Sequence, residues 1–493
     1  VKDELNQNEE AIKYIQKAIK IKPDWAQAYL IQIRILKKID SNEQALVVAN
    51  SAVKNSNRSP LSLICLAWSQ GDNFDHLIEE IQNNNQLDHN ELIALSNIAR
   101  DTIGSWPAIR LLNKSISIQE TEIALNNLGA NFDDLSLFST ARVFYELAVK
   151  LNRDYLKTLK SYGCALLRNT QLEEGWDILS ERIYNKNFTD LRPGNTPLWK
   201  GEDISKKTLY VFFEEGLGEH ILQASMIGSI IPSAKKCIVE CAKRLVPIIK
   251  RSYPNAEVIS GTEKKDILNA LKEADYQIPG INLGRHTRRS LKSFPQRQSG
   301  FLSANKEITE KFRNKYKAMA NGKRIIGITW ISGSSNHGKY KSLDLNELLP
   351  IIEKSDVFPV SLQYGPVSEE LKRFAIKTGH EIHFDDSFDQ IKDLEQFFGQ
   401  INAMDLVVSI SGTTVHAAGS LGVPTWLMIP SGRGALWYWF TKGTHSPWYP
   451  SVRLFRQTSP SDTGTPWWPT VIDNVTKELS DWLKKPLGPR IES

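Results

Sequence analysis

The residues able to do chemistry lie in four short polar stretches, each at the end of an apolar run. The first is 214–220 (EEGLGEH), after the run 208–213. Gly216 and Gly218 free the backbone beside a ligand, and Glu219 is a candidate general base for an acceptor hydroxyl. His220 is placed to hold an anion or to share the proton work. The second is 331–338 (ISGSSNHG), with Lys339, Lys341 and Ser342 just beyond it. A Gly/Ser loop at the carboxyl end of a strand, followed by lysines, suits a diphosphate, which nominates Ser332, Gly333 and Lys341. The third is Gln363, at the end of the run 358–364, where it could read a base or ribose edge. The fourth is Ser411-Gly412-Thr413-Thr414, between the run 406–410 and a helix over 415–421. The free N–H groups and positive dipole end of that helix start suit a phosphate. Thr413 and Thr414 add hydroxyls there, and His416 lies one turn in. The fourth and first stretches have bland alternatives: an ordinary crossover with threonine caps and a core-edge histidine, and an acid favoured by a helix dipole. Three polar loops converging on one sheet edge favour a nucleotide-type ligand.

The elements that must position these loops follow from the runs between them. Short apolar runs at 208–213, 237–240, 256–259 and 275–278 alternate with helices predicted at 221–230 and 244–251. Further runs at 324–330, 358–364, 406–410 and 425–429 alternate with helices at 394–404 and 415–421, and a last amphipathic helix covers 471–483. Such alternation predicts parallel sheets, here in two lobes, 201–320 and 321–485, with a tail at 486–493. The first glycine loop lacks the G-x-G-x-x-G spacing and any Lys-Ser/Thr, which disfavours a dinucleotide fold or a P-loop. The stretch 284–300 carries Arg285, Arg288, Arg289, Lys292 and Arg297 without an acid and reads as a solvated basic loop, the alternative being a grip on an anionic acceptor or diphosphate. Aromatics at 437–439 and 446–450 read as the seal of a domain interface.

Residues 1–186 are different: rich in Ala, Leu, Ile, Lys and Asn, poor in Gly, and self-similar. Ala11 and Ala18 recur as Ala45 and Ala52, 34 residues on. Ala108 and Ser115 recur as Ala141 and Ala148, and Gly175 follows Ala141 by 34. This spacing resembles a tetratricopeptide-repeat (TPR) solenoid of about five helix pairs, with 56–90 too degenerate to place. A linker over 187–200 (NFTDLRPGNTPLWK) separates it from the lobes, with Leu198-Trp199 tucking onto the next domain. At 493 residues the chain exceeds one core. Its net charge of +5 gives no nucleic-acid footprint. Four scattered cysteines read as buried thiols of a reducing, cytoplasmic compartment, with no metal site. No apolar run approaches a transmembrane span. The chain begins with Val1 inside a helical pattern, so its true N-terminus and any upstream signal are expected to be missing.

The two-lobed layout resembles a GT-B glycosyltransferase. More closely, the chain resembles bacterial TPR-glycosyltransferase proteins whose C-terminal half is similar to the ADP-heptose:lipopolysaccharide heptosyltransferase group (glycosyltransferase family 9). It is also similar in layout to O-linked N-acetylglucosamine transferases. The stretches that carry the resemblance are 216–227 (GLGEHILQASMI), 327–333 (GITWISG), 341–343 (KSL), 360–365 (VSLQYG), 405–430 (DLVVSISGTTVHAAGSLGVPTWLMIP) and 446–457 (SPWYPSVRLFRQ). It implies an all-α TPR solenoid followed by two Rossmann-like lobes, acceptor side first and nucleotide-sugar side second. It implies sugar transfer from a nucleotide-sugar to a protein or glycan acceptor recruited by the TPR groove, with no cofactor and no metal. Gly216, Gly218 and Glu219 fall on the acceptor-side loop, where the family usually has Asp as base; His220 stands where an acid is frequent. Lys341 falls where a basic residue meets donor phosphate. Thr413, Thr414 and His416 fall on the diphosphate-binding helix start, and Ser411 replaces an Asp. The alternative is a TPR scaffold with a weak or inactive GT-B domain, or, as a minor reading, a nucleotide-sugar epimerase.

Overall fold

The structure, a computed structural model, describes residues 2–71, 74–185, 188, 191–296, 299–334, 338–457 and 468–486, with side chains from residue 7 onward. Ser335, Asn336 and His337 of the second loop, Arg297 of the basic stretch, four linker-region residues (186, 187, 189 and 190) and the tail 487–493 lie outside it. The chain forms two compact units, Val1–Thr158 and one that starts at Leu159.

The first unit is helical throughout. The helix Lys2–Ile21 is followed by the pairs Ala26–Lys38 with Asn42–Asn55, Pro60–Gln70 with Asp75–Asn83, His89–Thr102 with Ser105–Ile118, and Glu122–Asp134 with Phe138–Leu151. Most of the recurring small residues are buried: Ala45, Ala52, Ala108, Ser115, Ala141 and Ala148 are fully enclosed, while Ala11 and Ala18 on the first helix are partly exposed. Close helix approach is the reason, as Gly129 shows: a Cβ there would stand 2.6 Å from the Tyr145 ring. The stretch that could not be placed from sequence holds the shortest pair. Pro60 starts its first helix, and Gly71, at φ +84, ends it.

The second unit opens with the remainder of a fifth helix pair, α1 (Leu156–Arg168) and α2 (Leu172–Glu181), and continues into two parallel sheets. The first sheet contains β1 (Thr208–Phe212), β2 (Lys236–Cys241), β3 (Glu257–Ser260) and β4 (Tyr276–Pro279), in the order β3-β2-β1-β4. The second contains β5 (Arg324–Ile328), β6 (Val357–Ser361), β7 (His383–Phe384), β8 (Leu406–Ile410), β9 (Thr425–Ile429) and β10 (Val452–Arg456), in the order β10-β9-β8-β5-β6-β7. Every pairing within these sheets is parallel. β1, β8 and β9 are buried along their whole length, which is why they read as unbroken apolar runs. The fold class is the one expected: an all-α array of helix pairs, then two Rossmann-like lobes. β7 and β10 went unpredicted; β7 has only two residues, and β10 is hidden in the aromatic-rich stretch.

One apolar core runs through α2, both lobes and the aromatic turns near residues 437–449. Trp176 on α2 is fully buried in it. Its indole N–H donates to the Arg288 carbonyl at 2.9 Å, and its ring meets Trp437 edge-on at 5.7 Å. The stretch 284–296 is therefore no solvated basic loop. Arg285 and Arg289 pair with Asp177 on α2, and Arg289 also with Glu173. Arg288 is buried and donates to the Ser225 carbonyl at 2.7 Å; burial without a carboxylate pushes its guanidinium down to about 10. The acids that neutralise the stretch are more than a hundred residues away in sequence, so the local pattern could not show them. The linker is tied to the first lobe: Leu198 bridges Gln277 in parallel, and the Trp199 N–H donates to the Gln277 carbonyl.

Candidate functional site

Strand order puts three of the four predicted stretches, those after β1, β5 and β8, at the two places where parallel sheets bind ligands; Gln363 follows β6, one strand further out. In the first sheet the connection reverses between β1 and β4, and the loop after β1 is 213–216. In the second it reverses between β5 and β8, so the loops after β5 and β8 flank the crevice. Helix α3 (Leu217–Ile230) follows β1, and α4 (Thr413–Ser420) follows β8. The first turns of the two helices abut: a Cβ on Gly218 would come within 2.8 Å of His416 Cδ2. Gly218 is thus required by the approach of α4, a reason the local sequence could not give.

Helix α3 starts four residues earlier than expected, with Gly216 as its N-cap. This puts Glu219 in the first turn. The carboxylate folds back over the helix start; its Oε2 lies 2.8 Å from where a Cβ on Gly216 would stand. Its other oxygen accepts from the Tyr438 hydroxyl at 3.3 Å, across the cleft from the second lobe. Tyr438 is buried, on a single 3-10 turn (Trp437–Trp439). The next residue, Phe440, sits at φ 54 and ψ 173, a conformation costly for a side-chain-bearing residue and held by its surroundings.

Lys341 is 6% exposed. Among the described residues no carboxylate lies within salt-bridge distance of it. Burial pulls its ammonium below the usual lysine range, and the charge of Glu219 works against that. Lys341 in turn acts on His416, which ties the lysine to the first turns of α3 and α4. Helix α4 has Gly412 as N-cap, with no side chain capping it, and a Cβ on Gly412 would meet nothing within 4 Å. Open backbone N–H groups, with Thr413 partly exposed at the first position, are what an anion needs.

The remaining predicted residues have other duties. Gln363 reads no ligand: its Oε1 accepts from the Trp330 and Ile331 N–H groups, at 3.0 and 2.8 Å, and its Nε2 donates to the Ile331 and Tyr364 carbonyls. All its hydrogen-bonding capacity holds the turn after β5. The Ser332 amide donates to Ser342 Oγ and the Gly333 amide to Tyr364 Oη, both at 2.9 Å, so neither is open to a diphosphate. Ser411 is buried and accepts from Trp439 Nε1. Thr414 is buried as well.

His416 does not act as a cation. Its ring is buried, stacks on Trp439 at 5.2 Å and shares a 2.8 Å hydrogen bond with the Tyr449 hydroxyl; burial pushes it down to about 3. His220 accepts from the Ala242 N–H through Nδ1 and meets Phe213 edge-on, and burial holds it at about 4. It pins the end of β2 and is not placed as a proton carrier. Sequence reasoning noted Tyr438 and Tyr449 only as parts of an aromatic seal, and missed Arg433, whose guanidinium donates to Tyr340 Oη at 2.7 Å, next in sequence to Lys341. Only chain reversal brings them here. Among the described residues, no group of three or more His, Cys, Asp or Glu is placed to hold a metal ion, and no helix is long and apolar enough to cross a membrane.

Three histidines held neutral, His416 fully buried and His220 and His286 partly so, have a consequence for stability. His220 and His286 sit at about 4 and His416 at about 3 in the folded protein, against about 6.5 when unfolded. The unfolded chain binds their protons first. Their contribution to stability is complete above about pH 6.5 and is lost as pH falls toward 4. Urea midpoints measured from pH 7.5 to pH 5 should therefore decline, and a flat or rising profile would contradict these assignments.

These units define a class of fold, a helical-repeat array followed by two Rossmann-like lobes. No family model matches the chain. It is similar to Protein FlbA of Caulobacter vibrioides, 25% identical over 306 residues, covering 59% of this chain and 50% of that protein. The chain thus spans about half the length of the curated relative it matches. Among solved structures it is similar to a family 9 glycosyl transferase from Veillonella parvula DSM 2008, with 11% identity and a TM-score of 0.42 over 57% of this chain and 98% of that one. It is also similar to YrrB, a TPR protein with an unusual peptide-binding site, with 12% identity and a TM-score of 0.23 over 35% of this chain and 92% of that one.

Proposed function

We propose that the chain is a GT-B glycosyltransferase that moves a sugar from a nucleotide-sugar donor to a protein or glycan acceptor, with the helical repeats recruiting the acceptor. The observation that carries this reading is Lys341: a buried ammonium with no carboxylate in salt-bridge reach among the described residues, which feels the charge of Glu219 and acts on His416 of α4, the helix whose start no side chain caps. Burying such a charge is costly unless an anion joins it, and a leaving nucleoside diphosphate is such an anion. Glu219, oriented by Tyr438, deprotonates the acceptor hydroxyl or amide. The first turn of α4 and Lys341 stabilise the charge that develops on the departing diphosphate, the task a metal ion performs elsewhere.

A scaffold without transfer activity is the second reading. It is favoured by the close seating of His416 under Gly218, which leaves the cleft tight, and by the occupied amides of Ser332 and Gly333. Thermal unfolding against UDP, ADP, GDP, CMP and their sugars separates the two. A ligand at about 100 times its Kd adds roughly 2.7 kcal/mol. A shift with one nucleotide supports the transferase and fixes its base; no shift with any of them supports the scaffold.

A further inference from the structure

The turn that leads into Glu219 is held from outside the sheets. Glu215, immediately before the glycine loop, has φ +69, a left-handed conformation that a residue with a side chain adopts only when its neighbours enforce it. Lys160 on α1 pairs with the Glu215 carboxylate at 2.5 Å, both side chains being half exposed. Arg182, directly after α2, pairs with Glu214 at 3.2 Å, and these two side chains are only 10% and 11% exposed. The Glu214 backbone is clamped on its other side by Gln223 of α3, which accepts from its N–H at 3.2 Å and donates to its carbonyl at 2.8 Å. The same helix pair reaches the opposite flank of Glu219. Trp176 packs edge-on against Trp437, next to the Tyr438 whose hydroxyl binds the carboxylate, and the Thr441 N–H donates to the Arg168 carbonyl at the end of α1.

We infer that Lys160 and Arg182 are positioning residues for the Glu219 loop, so that the last helix pair belongs to the site and does more than display a surface. Neither touches the reacting atoms. They fix the backbone from which the helix start and the carboxylate are hung. The local claim stands on geometry alone; its effect on turnover rests on the transferase reading above.

The test uses the full chain and reads the loop directly. Amide hydrogen exchange over residues 213–220 should quicken about fivefold in Lys160→Glu, where attraction to Glu215 becomes repulsion, and about tenfold or more in Arg182→Gln, which leaves Glu214 without that partner. The exchanged pair Lys160→Glu with Glu215→Lys should return the rate to within about twofold of the parent. A general loosening would raise exchange elsewhere in the second unit and would not be repaired by the swap. Unchanged exchange in Lys160→Glu, or a swap that fails to restore it, overturns the proposal even if Arg182→Gln does not fold. Where transfer is measurable, kcat should fall with donor KM unchanged in Lys160→Glu and recover in the swap. Quickened exchange that the swap repairs, in a chain that transfers no sugar, leaves the positioning role standing and removes the transferase reading.

Discussion

Lys341→Met should lose nucleoside diphosphate binding and at the same time make the free protein more stable. The two effects have one cause. Lys341 is buried, with no carboxylate in salt-bridge reach among the described residues, and burial already pulls its ammonium down. Methionine keeps most of the side-chain volume and removes the charge, which relieves a desolvation cost of about 1 kcal/mol or more. For a compact unit of this size that is a rise of about 1–2 °C in Tm. The diphosphate loses its buried counter-charge, so turnover should drop about 10²- to 10³-fold, as for the loss of one preorganised donor at a developing charge. Calorimetric titration with the nucleotide that shifts the parent, run beside thermal unfolding, reads both. A variant that binds as well as the parent removes Lys341 from the donor site. One that binds poorly and is also less stable marks Lys341 as structural.

Glu219→Gln should leave donor binding in place and lower kcat by about 10²- to 10⁴-fold, the usual range for a positioned general base. Glutamine preserves the shape and the contact with Tyr438 but cannot take a proton from the acceptor. Tyr438→Phe should cost less, about tenfold, because it removes only the hydroxyl that orients the carboxylate. Adding Tyr438→Phe to Glu219→Gln should cost almost nothing more, since a residue acting through another has no effect once that other is disabled. Full additivity in steady-state kinetics would mean that Tyr438 acts elsewhere, by packing against His416 or Trp437. A Glu219→Gln enzyme with parental kcat would reassign the base.

Much of the fold was legible in the sequence because its signals are local. β8 and β9 are apolar runs long enough to be buried strands, and both begin and end where the runs do. The helix pairs announced themselves by small residues at a fixed spacing, because close helix packing repeats along the chain. Boundaries set by a cap were less legible. Helix α3 was expected to start at 221 and starts at Leu217, since glycine as N-cap leaves no side-chain signature.

The candidate site divides along the same line. The sequence determined which loops sit at strand ends, and Glu219, Lys341 and the Gly412-Thr413 turn are the residues on which the proposed function rests. It could not determine which polar atoms were still free to bind. Gln363 and His416 have the right chemistry in the right neighbourhood. Their partners come from other elements: Trp330 and Ile331 take up Gln363 Oε1, and Tyr449 occupies Nδ1 of a His416 ring that is buried. Nor could it show that Tyr438 faces Glu219 from 219 residues away, or that Arg182 and Lys160 hold the turn before it. Residue type fixes what a side chain is able to do. Only the tertiary structure decides what it is left free to do, because burial and partners come from parts of the chain that meet in space and not in sequence.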